Sequence, residues 1–217
     1  MALHPDAFNR LLQHHAPAGP APLCPELRLH QAPAPVPLWE AAEALAGVQL
    51  PPPFWGCAWP GGVALARYLL DHPAEAVGRR VLDFAAGCGV AGLAAARAGA
   101  ASVEASELDV LAALAVAANA EVNRLQVRAR CEDLLGKDEG WDVVLVGDVF
   151  YERTLSEEVT RWTEGLARRG ARVLFGDPGR SFFPAARLRR CERYEVRASP
   201  AWDSVQDRAG AVWCWPG

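Results

Sequence analysis

From about residue 77 the chain alternates short apolar runs with helical stretches, and no other feature constrains its fold so tightly. Arg80 to Ala85 (RVLDFA) reads as a buried strand and Val90 to Ala98 as an Ala-rich helix. Ser102 to Glu107 is the next strand, and Asp109 to Asn123 the next helix. Val127 to Glu132 and Asp142 to Val149 (DVVLVGDV) are further strands, the second the most apolar of all. Leu155, Val159, Trp162 and Leu166 recur at helical spacing, so Leu155 to Arg169 is an amphipathic helix. Arg172 to Asp177 is a strand and Pro184 to Arg190 a helix. Tyr194 to Ala198 and Ala211 to Trp215 form a closing antiparallel pair. Strands alternating with helices predict a doubly wound, mostly parallel α/β sheet. Ligands of such sheets bind beyond the carboxyl ends of the strands, which makes polar residues there the candidates for function.

The first fifty residues have a different texture, broken by prolines. HPDAFNRLLQHH reads as a short amphipathic helix with Pro5 near its start and Phe8, Leu11 and Leu12 on one face. PAGPAPLCP reads as a loop, Glu26 to Gln31 as an edge strand and Pro37 to Ala46 as a helix. Pro51, Pro52 and Pro53 hold an extended segment leading into Phe54 and Trp55, and a helix follows from Val63 to Leu70. This divides the chain into an N-terminal extension, residues 1–76, and a core, residues 77–217.

The 217 residues, 51% hydrophobic and 22% charged, have the balance of an ordinary globular protein. A chain of that length can bury about 70% of its unfolded surface, so it needs no disulfide or metal staple. Lys and Arg number 22 against 26 Asp and Glu, a net charge of −4 that argues against binding nucleic acid. No apolar run approaches the roughly 20 residues of a membrane helix. The N-terminus lacks an apolar signal core and carries Asp6. The six cysteines form no CxxC pair and no histidine stands at zinc-ligand spacing, so no metal is expected. Scattered thiols without a leader point to the cytoplasm.

The strand Val81-Leu82-Asp83-Phe84 runs into a tight turn, Ala85-Ala86-Gly87-Cys88-Gly89, that opens a helix. Small residues there let a ligand approach the backbone. A pyrophosphate loop needs GxGxxG with its amides facing the phosphate. Here Ala85 stands at the first glycine and Asp83 adds negative charge, which suits a cation better. A plain strand–helix turn accounts for the glycines equally well. Glu107 ends the next strand, where one carboxylate suits two ribose hydroxyls, while Asp109 reads as a helix N-cap. Glu132 and Asp133 end the third strand, either as acceptors for an adenine amino group or as a solvated loop pair. Gly147-Asp148-Val149-Phe150-Tyr151 ends the most apolar strand. Asp148 suits an ammonium anchor with Tyr151 beside it, and equally a helix cap followed by core aromatics. Trp59, just before Pro60-Gly61-Gly62, belongs either over a bound cofactor or in the core.

Taken together, Asp83 with Ala85, Gly87 and Gly89, then Glu107, then Asp148 resemble the S-adenosylmethionine site of a seven-β-strand class I methyltransferase. The resemblance is closer still to the lysine methyltransferases of the electron transfer flavoprotein β subunit. That family's WPGGxALxRYLLDxP stands here as Trp59 to Pro73, its VLDxGSGCG as Val81 to Gly89, its GDMFYD as Gly147 to Glu152 and its GDPGR as Gly176 to Arg180. The match covers about residues 24 to 217. Departures are Ala85-Ala86 for Gly-Ser, Glu107 for the usual Asp, and Glu152 for Asp.

The resemblance implies a Rossmann-like seven-stranded sheet, mostly parallel with an antiparallel closing strand, behind an N-terminal helical extension. It implies S-adenosylmethionine as cofactor, touched by Trp59, Asp83, Ala85, Gly87, Gly89, Glu107, Glu132, Asp133 and Asp148, with S-adenosylhomocysteine as product. It implies a lysine of the flavoprotein β subunit as acceptor, held in line with the methyl group by Asp148 and Tyr151. Arg180 then meets an acidic substrate surface or caps the strand before it. Rival acceptors are a ribosomal protein or a small amine such as nicotinamide. The rival without chemistry is a cofactor-binding module.

Overall fold

The computed structural model describes residues 5–197, 201–202 and 207–216. Helix α1 (Pro5–His15) leads into an antiparallel hairpin of β1 (Ala18–Ala21) and β2 (Cys24–His30). Helix α2 (Pro35–Ala46) begins on a proline, whose missing N–H costs nothing in the first turn, and stops at Gly47, whose φ of 70° suits glycine. A 3-10 turn at Phe54–Gly56 ends the proline segment, and α3 (Pro60–Asp71) follows, again with proline first.

The main sheet then builds up. It holds β3 (Arg80–Phe84), β4 (Ser102–Glu107), β5 (Arg128–Cys131), β6 (Val143–Gly147), β7 (Arg172–Asp177), β8 (Arg189–Arg197) and β9 (Asp207–Cys214). The strand order is β5-β4-β3-β6-β7-β9-β8. The first five run parallel, and β9 lies antiparallel between β7 and β8. Between the strands run α4 (Val90–Arg97), α5 (Val110–Asn123) and α6 (Arg153–Arg168). Asp109 caps α5 by accepting the Leu111 N–H, as its place in the sequence predicts.

β6 is central, so both its faces must be apolar, and Val143, Val144, Leu145 and Val146 are all buried. On one face Leu65 and Leu69 of α3 pack with Val81, Leu145, Leu174 and Val212, so the core runs unbroken across residues 76 and 77. On the other face Val159 and Leu166 of α6 pack on Leu82, Val144 and Phe175. Each such leucine, fully buried, stabilises the fold by about 1.5–3 kcal/mol. Phe8, Leu12, Leu38 and Trp55 cover Leu111 and Ala115 of α5 in a third cluster.

Two expectations need correction. The stretch PAGPAPLCP is not a loop, since β1 lies within it and pairs Ala18 with His30 and Gly19 with Leu29. Pro20 is tolerated there because β1 is an edge strand. Pro184 to Arg190 is not a helix: only Ala185–Arg187 makes a 3-10 turn, and β8 starts at Arg189 opposite Cys214. The closing pair is also longer than the apolar runs suggest, with Tyr194 facing Gly210. Ala198, the expected end of its first strand, lies outside the described residues.

Candidate active site

The carboxyl ends of the parallel strands open onto a cavity of about 580 Å³, a size that suits a nucleoside-sized ligand. Trp59, Ala85, Gly87, Glu107, Glu132, Asp133, Asp148, Tyr151 and Arg180 all line it. The wall thus gathers groups from β3, β4, β6, the loop after β7 and the segment before α3.

The turn after β3 is left-handed three times over, with φ of 50° at Ala85, 57° at Gly87 and 77° at Gly89. Gly87 faces open space, which leaves its backbone accessible to a ligand. Gly89 is instead the N-cap of α4, and a Cβ there would come within 3.1 Å of Val116. Ala85 adopts its φ despite a Cβ, at a cost of about 1–2 kcal/mol.

Asp83 is not on the cavity wall. It is 3% exposed, behind the turn, where the Gly92 N–H of α4 donates to its Oδ2 at 2.7 Å. Its carboxyl therefore secures the start of a helix rather than facing a ligand. Burial pushes its pKa up from 3.8 to about 7. The folded state then keeps a proton that the unfolded chain has already lost, so this group makes stability fall as pH rises from about 4 to about 7. Thermal melts across that range should show the slope, and Asp83→Asn should make it shallower. An unchanged slope in the variant would assign it to other buried acids.

Glu107 reaches back across the cavity. The Gly87 N–H donates to its Oε1 and the Leu108 N–H to its Oε2 at 3.2 Å. Each carboxylate oxygen keeps a further lone pair for a ligand hydroxyl. Burial raises its pKa. Glu132 and Asp133 sit on the rim, just past β5. Lys137 and Arg130 donate to the two oxygens of Glu132 at 2.6 and 2.7 Å and hold its pKa at about 2. Asp133 accepts the Leu135 N–H at 2.9 Å. Leu134, Leu135 and the 72% exposed Leu108 add an apolar wall between these acids.

Asp148 stands at the end of β6 with φ 60°. The Gly62 N–H donates to its Oδ2 at 2.9 Å, and Arg180 pairs with its Oδ1 at 2.9 Å. It does not cap the helix that follows it, because Glu152 accepts the Thr154 and Leu155 N–H groups of α6. It sits instead at the N-terminus of α3, where the helix dipole favours a negative charge. Even so, burial raises its pKa. The two aromatics after it divide the roles offered by the sequence. Phe150 packs into the core against Phe175 and Phe183, while Tyr151 is 64% exposed and lines the cavity.

Trp59 also lines the cavity and donates its indole N–H to the Phe54 carbonyl at 2.8 Å, with the two rings 5.9 Å apart. Phe54 shares that wall and was not singled out from sequence. Nor was the pairing of Arg180. The Asp177 carboxylate accepts the Arg180 backbone N–H at 2.7 Å, and the guanidinium turns inward, 5.8 Å from the Trp59 ring. Its only sequence signal was the GDPGR block.

Gly61 of α3 and Gly176 of β7 touch backbone to backbone, and a Cβ on either would overlap the other's carbonyl. A Cβ at Gly147 would lie 3.2 Å from the Gly62 nitrogen. The start of α3 therefore packs main chain to main chain on the strand ends behind Asp148. Five acids and one arginine line the cavity, a balance that repels phosphates and attracts a cation.

A family model described as lysine methyltransferase matches residues 55–180. An electron transfer flavoprotein beta subunit lysine methyltransferase of Danio rerio is 38% identical over 171 residues, 75% of this chain and 66% of that protein. Its Xenopus laevis counterpart is 38% identical over 172 residues, 78% and 69% of the two chains. The magnesium protoporphyrin IX methyltransferase of Synechocystis PCC 6803, solved with bound SAM, aligns with a TM-score of 0.52 over 71% of this chain and 78% of its own, at 17% identity. The fold is that of a class I methyltransferase. The chain belongs to the lysine methyltransferase family, and it spans about two thirds of the length of the curated relatives just described.

Proposed function

We propose that the chain transfers a methyl group from S-adenosylmethionine to a lysine amine of a protein, the electron transfer flavoprotein β subunit being the acceptor. One observation carries this reading: Glu107 and the glycine turn share a single cavity with Asp148 and Tyr151. Groups suited to a nucleoside and groups suited to an amine thus face the same space. The relatives of Danio rerio and Xenopus laevis, by name, act on that β subunit.

The residues present fit the cofactor. Glu107 offers acceptors for a ribose diol, Leu108 and Leu134 an apolar surface for a base, Asp133 an acceptor beside it, and Gly87 an open backbone. When bound, the cofactor supplies an electrophilic methyl group on a cationic sulfur. The acidic lining favours that charge. Asp148 and Tyr151 orient the acceptor amine, and Trp59 and Phe54 keep water away. No covalent intermediate with the protein is needed. Positioning turns a two-body step into an effectively intramolecular one, worth up to about 7–11 kcal/mol of barrier.

The partner of this reading is a protein, with neither nucleic acid nor membrane. Among the described residues no helix is long and apolar enough to cross a membrane. No disulfide joins any of the six cysteines, which fits the cytoplasm as the compartment. The test is incubation of the protein with S-adenosylmethionine and purified flavoprotein, followed by peptide mass spectrometry. Whole methyl increments on one lysine-bearing peptide of the β subunit are expected. Glu107→Ala should weaken cofactor binding by about 1–3 kcal/mol in calorimetry. A folded wild type that binds neither the cofactor nor its demethylated product would overturn the reading.

A further inference from the structure

We propose that Arg180 is a positioning residue that lets Asp148 hold the acceptor lysine without holding its proton. The proposal rests on the site being one of lysine methyl transfer.

An amine attacks carbon only when neutral. A free lysine titrates near about 10.4, so at neutral pH roughly one molecule in a thousand is ready. A lone carboxylate beside that lysine would favour the ammonium and make matters worse. Asp148 is not a lone carboxylate. Arg180 contacts its Oδ1 at 2.9 Å, and the two side chains are only 19% and 10% exposed. The positive end of α3 meets Oδ2 through the Gly62 N–H.

The charged and titratable groups around Asp148 are few. Arg180 comes from the loop after β7, Asp177 from the end of β7 and Tyr151 from the segment after β6. Cys88 comes from the turn after β3 and Glu107 from β4 across the cavity. Burial pushes the Asp177 pKa up to about 6, so it keeps most of its charge at neutral pH, where its Oδ1 is engaged by the Gly179 and Arg180 N–H groups. The guanidinium, paired directly with Asp148, lowers the negative charge an incoming amine would meet there. A neutral amine still donates an N–H to the carboxylate, so it is oriented while its proton is free to leave to solvent.

Arg180 is held for this task. Asp177 Oδ1 accepts its backbone N–H and that of Gly179, both at 2.7 Å, and the Trp59 ring lies 5.8 Å from the guanidinium. Arg180 Nε and Asp177 Oδ2 are both buried without a hydrogen-bond partner. Such a deficit beside a cavity calls for an explanation, and a guanidinium held ready for Asp148 supplies one.

The test is the pH dependence of kcat in Arg180→Met and Arg180→Lys. Arg180→Met should lose about tenfold or more at neutral pH, with the rising limb of log kcat moved up by about one pH unit or more. Activity should return at high pH, cofactor affinity should stay within about twofold, and Arg180→Lys should keep the wild-type limb. A purely structural role would lower kcat equally at every pH and leave the limb in place, which would overturn the proposal. Binding of n-butylamine in the presence of S-adenosylhomocysteine, followed by NMR, gives a readout that needs no turnover. The wild type should bind it more tightly as pH rises, and Arg180→Met should favour the ammonium at low pH. The same pH dependence in both proteins would also overturn the proposal. Absence of transfer by a wild type that passes the butylamine test would sink the reaction reading and leave the role of Arg180 standing.

Discussion

Asp148→Asn is expected to lower methyl transfer by about 10²-fold or more while cofactor affinity changes little. The substitution keeps the shape of the side chain, and the amide oxygen can still accept the Gly62 N–H, so the contact with α3 survives. What is lost is the charge that faces Arg180 and the acceptor amine. Asn caps a helix about as well as Asp, so a residue serving α3 alone would tolerate the change. The two roles thus predict opposite results for one variant. Labelled methyl transfer to the flavoprotein β subunit, with calorimetry on the cofactor, separates them. Near wild-type transfer by a folded Asp148→Asn protein would remove Asp148 from the reaction.

Gly176→Ala is expected to destabilise the fold by about 3 kcal/mol or more, at the upper end of what overpacking costs. A Cβ there would overlap the Gly61 carbonyl, and Leu65 presses from the same side at 2.7 Å. Backbone cannot move aside as a flexible side chain can. For a chain of this size the melting temperature should fall by about 6–12 °C, at roughly 2–4 °C per kcal/mol. Gly165, within α6, has nothing within 4 Å of the same added atom. Gly165→Ala should therefore stabilise by up to about 1 kcal/mol through helix propensity. Thermal melts of the two variants form one experiment. Equal melting temperatures would show that the close contact is not a constraint.

What the sequence could reveal follows from where the information lies. β4 and β7 span the very residues expected, and β3 and β6 lie within their apolar runs; β3, β6 and β7 show because a strand buried on both faces is apolar along most of its length, while the half-polar β4 shows from its place between two helices. β1 was hidden because its pairing is stabilised from afar. Asn119 and Asn123 of α5 accept the His30 and Arg28 N–H groups of the hairpin at 2.7 and 2.8 Å. No local pattern in PAGPAPLCP reports that. Pro184 to Arg190 has helix-forming residues, yet the open edge of β9 recruits its end as strand.

The site divides in the same way. Glu107, Asp148, Tyr151 and Trp59 could be placed because each stands at a strand end or in a distinctive block, and all four reach one cavity. Asp83 looked equivalent to Glu107. Whether an acid at a strand end faces a ligand or the next helix depends on the path of the turn, and here the Gly92 N–H claims it. The pairing of Arg180 with Asp148 joins two loops in space and leaves no periodicity to read.

The contact between Gly61 and Gly176 also sets where such a fold has room to diversify. A helix and a strand that touch main chain to main chain have no side chain between them to enlarge or trim, so the place of Asp148 against the start of α3 is fixed once the sheet is built. The exposed rim, where Phe54, Leu108 and Tyr151 lie, has no such restriction. New acceptors would be acquired there, one surface residue at a time, without rebuilding the scaffold. A chimera that borrows α3 from another protein would in turn need a glycine at both points of contact, so these distant segments must be exchanged as a set.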